Sequence, residues 1–256
     1  MPITGQASKT VLLIGMACMV GSCGILPRPA VTPLPTMWDQ QIVRSGAKSL
    51  AVMLPGRLGR LPQYRNWGFF DLLREQRPDT DIVATDLHIG YYQDHSFLSR
   101  LHEDVVAPAR ARGVEQINLV GISLGGFGAL AYSIENPGEV DQIVILAPFL
   151  GDDPIIDEIE AAGGLAEWQP GTIGDDDFQR RLWAGLRERL VVESGRRFPQ
   201  VWLGYANGDR FARANRLLAD HLPRRDRVFT IPGGHDWPEW RQLFKTLLSS
   251  GGLASR

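Results

Sequence analysis

The stretch Gln116-Ile-Asn-Leu-Val-Gly121-Ile-Ser123-Leu-Gly125-Gly-Phe-Gly-Ala129 decides how the rest of the chain is read. Its first five residues form an apolar run of the kind that makes a buried strand. From Leu124 the pattern becomes helical and stops at Asn136-Pro137-Gly138. Between the two lies Gly121-Ile-Ser123-Leu-Gly125, which fits a tight strand-to-helix turn. A side chain at 121 or 125 would crowd that turn. Ser123 is expected to sit there under backbone strain, with Oγ projecting from the sheet edge. The helix behind it would aim free N–H groups at any negative charge that forms.

A hydroxyl is a poor nucleophile at neutral pH, so Ser123 needs a base. Five histidines are available. In a chain that places the serine first, the acid and then the histidine follow it. Only His221 and His235 come late enough. His221 falls near the end of a helical stretch, residues 212–222, where a solvated role suffices. His235 sits in Ile231-Pro-Gly-Gly-His235-Asp236, a loop that two glycines let bend, and is assigned as the base. Asp209, in the Asn207-Gly208-Asp209 turn after a strand, is assigned as the acid that orients it; Asp152, Asp153 and Asp226 are the alternatives. An oxyanion would be held by the backbone N–H of Leu124 and by one from Leu54-Pro55-Gly56-Arg57-Leu58-Gly59, assigned to Arg57 with Leu58 as the alternative.

Around this centre strands and helices alternate. Ser49-Leu-Ala-Val-Met-Leu54, Asp81-Ile-Val-Ala-Thr85, Gln142-Ile-Val-Ile-Leu146, Gln200-Val-Trp-Leu-Gly-Tyr205 and Arg227-Val-Phe-Thr-Ile231 read as further strands. Helices are expected over residues 67–76, 97–112 and 236–248, with a possible kink at Pro108. Continuous apolar strands separated by helices predict an α/β fold, a mostly parallel central sheet covered on both faces. Residues 151–198 break the rhythm with many acids and are expected to form a small cap insertion.

His88, His95 and His102 are spaced seven apart, but Gly90 interrupts and no carboxylate spacing completes a metal site, so none is assigned. Trp67, Phe69, Phe70, Tyr91, Tyr92 and Phe149 are candidates for an apolar pocket, although core is the commoner place for such residues. The net charge of -2 and the lack of a basic run argue against nucleic acid as a partner. With both cysteines before residue 24, neither an internal disulfide framework nor a thiolate zinc site is available to the body.

The N-terminus reads as an address. A polar start with Lys9 precedes the apolar run Val11-Leu-Leu-Ile-Gly-Met-Ala-Cys-Met-Val20, too short to span a bilayer. Val20-Gly-Ser-Cys23 resembles a bacterial lipobox, which implies a signal peptide over residues 1–22, cleavage before Cys23 and lipid on its sulfur. Residues 23–47 carry Pro27, Pro29, Pro33 and Pro35 and read as an extended tether; the folded domain is expected over residues 48–250. The location so implied is the cell envelope, membrane-attached through a lipid anchor, most simply at the outer membrane.

The serine turn, the Asp209 loop and the His235 loop together resemble the α/β-hydrolase superfamily over residues 48–248. Gly-Gly-His235-Asp-Trp237-Pro-Glu-Trp240-Arg241 looks like the esterase D and enterochelin-esterase branch, where a similar stretch carries the catalytic histidine. The resemblance implies hydrolysis of a small-molecule or lipid ester through an acyl-serine, without a cofactor. An acyltransferase or thioesterase on the same residues, and a catalytically silent lipid-anchored binding protein, are the alternatives.

Overall fold

The computed structural model describes residues 28–39, 48–193 and 198–254. Seven strands form one sheet: β1 (Thr36–Trp38), β2 (Ser49–Leu54), β3 (Thr80–Thr85), β4 (Gln116–Ile122), β5 (Gln142–Leu146), β6 (Gln200–Ala206) and β7 (Val228–Ile231). The order is β1-β3-β2-β4-β5-β6-β7. Every pair is parallel except β1 with β3. Every residue of β2 and β5 is buried, as their unbroken apolar runs require of strands covered on both faces.

The chain leaves β2 for β3 on one side and returns to β4 on the other. The carboxyl ends of β2 and β4 therefore flank the point where the winding reverses. Loops diverge there and leave a crevice, the usual position of a ligand site in an open α/β sheet.

The helix expected over residues 97–112 is continuous. Its middle turn, His102–Val106, is a π-turn, and Pro108 follows within the next α-helical turn, Ala107–Ala111. Ala107 N–H reaches back to His102 C=O, so the widened turn accommodates the ring instead of a sharp kink.

The segment after β5 contains helices Asp153–Ala161 and Phe178–Arg187 and a π-turn, Glu188–Val192. It docks on the helix after the serine, Leu124–Glu135. Gly185 meets Ile134 so closely that a Cβ would stand 2.6 Å from Ile134 Cγ2. Buried Trp183 donates from Nε1 to Leu150 C=O at 2.6 Å. Glu158 accepts from Arg180 at 2.6 Å and from Trp168 Nε1 at 2.8 Å, which joins the two inserted helices; hydrogen bonds from Arg180 draw its carboxyl down to about 2.

One element departs from the sequence reading. Residues 28–39 of the expected tether are not free, and the remainder of it, residues 23–27 and 40–47, lies outside the described residues. Residues 28–39 run along the domain as a strap. Arg28 pairs with Asp86 at 2.6 Å and donates to Gly59 C=O at 2.8 Å. Val31 exchanges two hydrogen bonds with the Tyr91 hydroxyl, and Leu34 N–H donates to Asp104. Leu34 is 3% exposed, and Thr36–Trp38 adds the antiparallel edge strand. The domain thus begins before Lys48. Pro33 and Pro35, just before this strand, have no backbone N–H to donate to a further neighbour, which suits an edge position. Among the described residues, the seven strands and the buried core lie between Arg28 and Ala254, so a chain beginning at Gly24 keeps every described element.

A chain beginning at Lys48 loses this strap and the burial of Leu34. It is expected to melt roughly 5–10 °C below the chain that begins at Gly24, since a buried leucine and its polar contacts contribute a few kcal/mol. Equal melting points in a calorimetric comparison would mean that the strap contributes nothing to stability.

Candidate active site

Ser123 occupies a backbone position that L-residues avoid, with φ 52° and ψ −116°. Such a conformation costs about 1–3 kcal/mol and persists only where neighbours fix it. Here Ser123 N–H donates to Leu146 C=O at 3.0 Å. Its own C=O accepts from Gly126 N–H at 2.9 Å and Phe149 N–H at 3.0 Å. The glycines of the motif have separate steric reasons. A Cβ on Gly121 would strike the Gly125 carbonyl oxygen, and one on Gly125 would strike the Leu54 carbonyl oxygen. The helix Leu124–Glu135 starts directly behind the serine.

His235 and Asp209 complete a chain of hydrogen bonds. His235 Nε2 lies 3.0 Å from Ser123 Oγ, and Nδ1 lies 2.7 Å from Asp209 Oδ2. The Asp209 side chain is fully buried, and its other oxygen accepts from Phe211 N–H at 2.8 Å. An ionised carboxylate can only accept, so Nδ1 carries the imidazole proton and Nε2 faces the serine as an acceptor. Two loops must meet for this. Asn207 N–H donates to Ile231 C=O and Gly208 N–H to Gly233 C=O, at 2.8 and 3.0 Å. The last helix, Trp237–Ser249, supports the second loop through Glu239, whose Oε1 accepts from Gly234 N–H. The rings of Phe211 and Trp240 each meet the imidazole edge-on, with centroids 4.9 Å away.

The other acids considered are elsewhere. Asp226 pairs with Arg224 on the surface, and Asp152 with Gln179. Asp153 opens the first inserted helix. His221 ends a helical segment away from the serine. The three spaced histidines do not converge. Buried His88 caps a short helix by accepting from Gly90 N–H, and burial lowers its pKa. His95 packs edge-on against Phe178, and His102 bonds to the Tyr132 hydroxyl at 2.9 Å.

The loop after β2 lies beside the serine. A Cβ on Gly56 would come within 3.6 Å of Ser123 Cβ, and Arg57 follows directly. Gly59 N–H donates back to Gly56 C=O, and Tyr64 O–H holds Leu54 C=O at 2.6 Å. An apolar cavity of about 320 Å³ opens at Leu124, with walls that include Tyr92, Phe97, Phe127, Phe149 and Phe178 and a polar edge at residues 176, 177 and 179. Of the aromatic candidates, Tyr92 and Phe149 line this cavity. Phe69, Phe70 and Tyr91 are core, and Trp67 is exposed and stacked on Trp237. Phe97, Phe127 and Phe178 escaped the sequence reading because their helical spacing matches that of core residues. Phe211 had one usable signal, its place two residues beyond Asp209, where an Asx-type turn supplies a donor.

The approach of the two loops gives a direct test. A Cβ on Gly208 would stand 2.6 Å from Gly233 C=O, so Gly208→Ala should force the loops apart. The expected result is a loss of roughly 1–3 kcal/mol in stability, with the His235–Asp209 proton signal shifted upfield in NMR. An unperturbed signal would show that the loops tolerate separation.

Comparison with known proteins places this geometry in context. Residues 52–253 match the family described as alpha/beta hydrolase fold. No curated protein matches the chain. Among solved structures, S-formylglutathione hydrolase (FrmB) from Staphylococcus aureus is similar at TM-score 0.58 and 14% identity, covering 88% of this chain and 98% of that one. A monoacylglycerol lipase from Paleococcus ferrophilus has TM-score 0.54 and 15% identity over 85% and 99%. Est1E from Butyrivibrio proteoclasticus with ferulic acid bound has TM-score 0.56 and 17% identity over 84% and 92%. The family match spans most of the chain and coincides with the parallel sheet and the serine turn: this chain belongs to the α/β-hydrolase fold family.

Proposed function

We propose that the protein is a serine hydrolase that cleaves carboxylic esters through an acyl intermediate on Ser123. The observation that carries this reading is the Ser123–His235–Asp209 chain, 3.0 and 2.7 Å long, at the end of a strained strand-to-helix turn. His235 takes the Oγ proton as Ser123 attacks the carbonyl carbon. The alkoxide that forms is held by the N–H groups of Leu124 and Arg57. The bond to the alcohol breaks, and His235 returns the proton to the departing oxygen. Water then repeats the sequence and frees the acid. Asp209 keeps the imidazole in the required tautomer and stabilises the imidazolium. The cavity at Leu124 takes the apolar portion of the ester. No step calls on a cofactor. The similar structures named as a hydrolase and a lipase agree with this class.

The lipobox-like Val20-Gly-Ser-Cys23 and the signal before it lie outside the described residues. Their sequence supports a lipid on Cys23 and a location in the cell envelope. Among the described residues, no helix is long and apolar enough to cross a membrane.

A fluorophosphonate probe is expected to label the folded protein and neither the Ser123→Ala variant nor a heat-denatured sample. Asp209→Asn should fold normally and hydrolyse p-nitrophenyl esters about 10⁴-fold more slowly. A well-folded native protein that resists the probe would sink the hydrolase reading. For the anchor, full-length chain made in a Gram-negative host should incorporate an alkyne-tagged palmitate, and Cys23→Ala should not. Equal labelling of both would remove the lipid from Cys23.

A further inference from the structure

Among the described residues, four large hydrophobic side chains are exposed: Val31, Leu58, Trp67 and Val192. Three of them gather at the carboxyl end of the sheet. Leu58 lies in the loop that follows β2, beside the serine. Val31 is bonded through its backbone to Tyr91, in the segment that follows β3. Trp67 stacks on Trp237, two residues beyond His235, with ring centroids 5.7 Å apart and an interplanar angle of 4°. Val31, Leu58 and Trp67 are 48%, 52% and 38% exposed, so their apolar surface faces water.

Charge on the same surface has one dominant sign. Residues 55–67 contain Arg57, Arg60 and Arg65, all exposed, and no acid. Arg241 joins them by donating to Trp67 C=O at 3.0 Å. The acids at the margin are exposed Asp71, near Gly68, and Asp236, before Trp237. Around Leu58 and Trp67, four arginines against two aspartates leave the surface cationic in a chain whose formal net charge is -2, while the Val31 side adds Arg28 paired with Asp86 and the exposed Asp94. Exposed aromatic and aliphatic groups interleaved with arginine match the boundary of an anionic bilayer, where apolar groups enter the headgroup layer and cations meet phosphate.

The strap supplies an independent reason. Arg28 is fixed to this face by Asp86 and by Gly59 C=O. Cys23 lies five residues earlier. Five residues of chain reach at most about 18 Å. A lipid on Cys23 would therefore keep Arg28, and the face it is fixed to, close to the membrane.

We infer that this face, with Val31, Leu58 and Trp67 among Arg57, Arg60 and Arg65, docks on a bilayer surface containing anionic phospholipid. The Ser123 mouth then opens toward the membrane. Asp176 and Asp177 line the mouth from the insertion, opposite Ile89, whose N–H donates to Arg57 C=O at 3.1 Å. This inference stands whether or not Ser123 is catalytic, and its argument from the strap rests on the lipid proposed for Cys23.

The test uses the chain beginning at Gly24, which keeps every described element and lacks Cys23 and its acyl group, floated with vesicles of phosphatidylcholine alone or mixed with phosphatidylglycerol. The expected result is flotation with the mixed vesicles, much weaker flotation with phosphatidylcholine, and loss of binding as salt rises. Arg60→Glu/Arg65→Glu should weaken binding to the mixed vesicles by roughly tenfold or more, with unchanged turnover of a short soluble ester by a protein that stays folded, its melting lowered only slightly because Arg65 donates to Trp38 C=O at 3.3 Å. Trp67→Ser should weaken it too, and Val192→Ser, on the inserted segment, should float as the parent does. Failure of the parent to float, equal flotation with both vesicle types, or parental flotation by a folded Arg60→Glu/Arg65→Glu protein would each overturn the inference. Fluorophosphonate labelling of the same samples reports the serine separately.

Discussion

The backbone of Gly125 passes so close to the Leu54 carbonyl oxygen that no Cβ fits between them. This contact presses the start of the Leu124–Glu135 helix onto the end of β2. It sets where β4 must turn, and so where Ser123 must take its unfavourable backbone angles. The strain is local, and the restraint on it is not. It comes from Leu146 at the end of β5 and from Phe149 at the start of the insertion. The position of Ser123 thus depends on three neighbouring strands held in parallel register.

The partners of the serine obey a different constraint. Asp209 and His235 belong to loops at the far side of the sheet. They meet because the Gly208 and Gly233 backbones bond directly, which a side chain at 208 would prevent. Burial of the Asp209 carboxylate would be costly without donors for both oxygens; Phe211 and His235 supply them. The helix that follows adds Glu239 beneath the second loop and Trp240 against the imidazole ring. Positioning therefore comes from backbone contacts and packing more than from the reactive groups themselves.

Much of this was legible before any coordinates. The strand positions after Lys48 agree with the observed ones to within a residue or two, because strands buried on both faces leave long apolar runs. Thr36–Trp38 was missed because it is three residues long, flanked by prolines and half-buried, so it leaves neither an apolar run nor an alternation. Its pairing depends on the Arg28–Asp86 and Leu34–Asp104 contacts, whose members are about sixty to seventy residues apart in sequence. The π-turn before Pro108 was reduced to a possible kink, since sequence indicates that a proline must be accommodated but not how the helix does it.

The sequence by itself determined the α/β class, the serine, histidine and aspartate that the fold brings together, and the order in which loops present them. These follow from short-range rules: hydrophobic period, glycine where a Cβ cannot fit, and turn chemistry. Only the tertiary structure decided that Asp209 rather than Asp152, Asp153 or Asp226 faces His235, that His88, His95 and His102 separate, and that the proline-rich segment straps the domain. Those outcomes are distances between residues remote in sequence. They are set by how seven strands stack and how their loops converge, which no local pattern encodes.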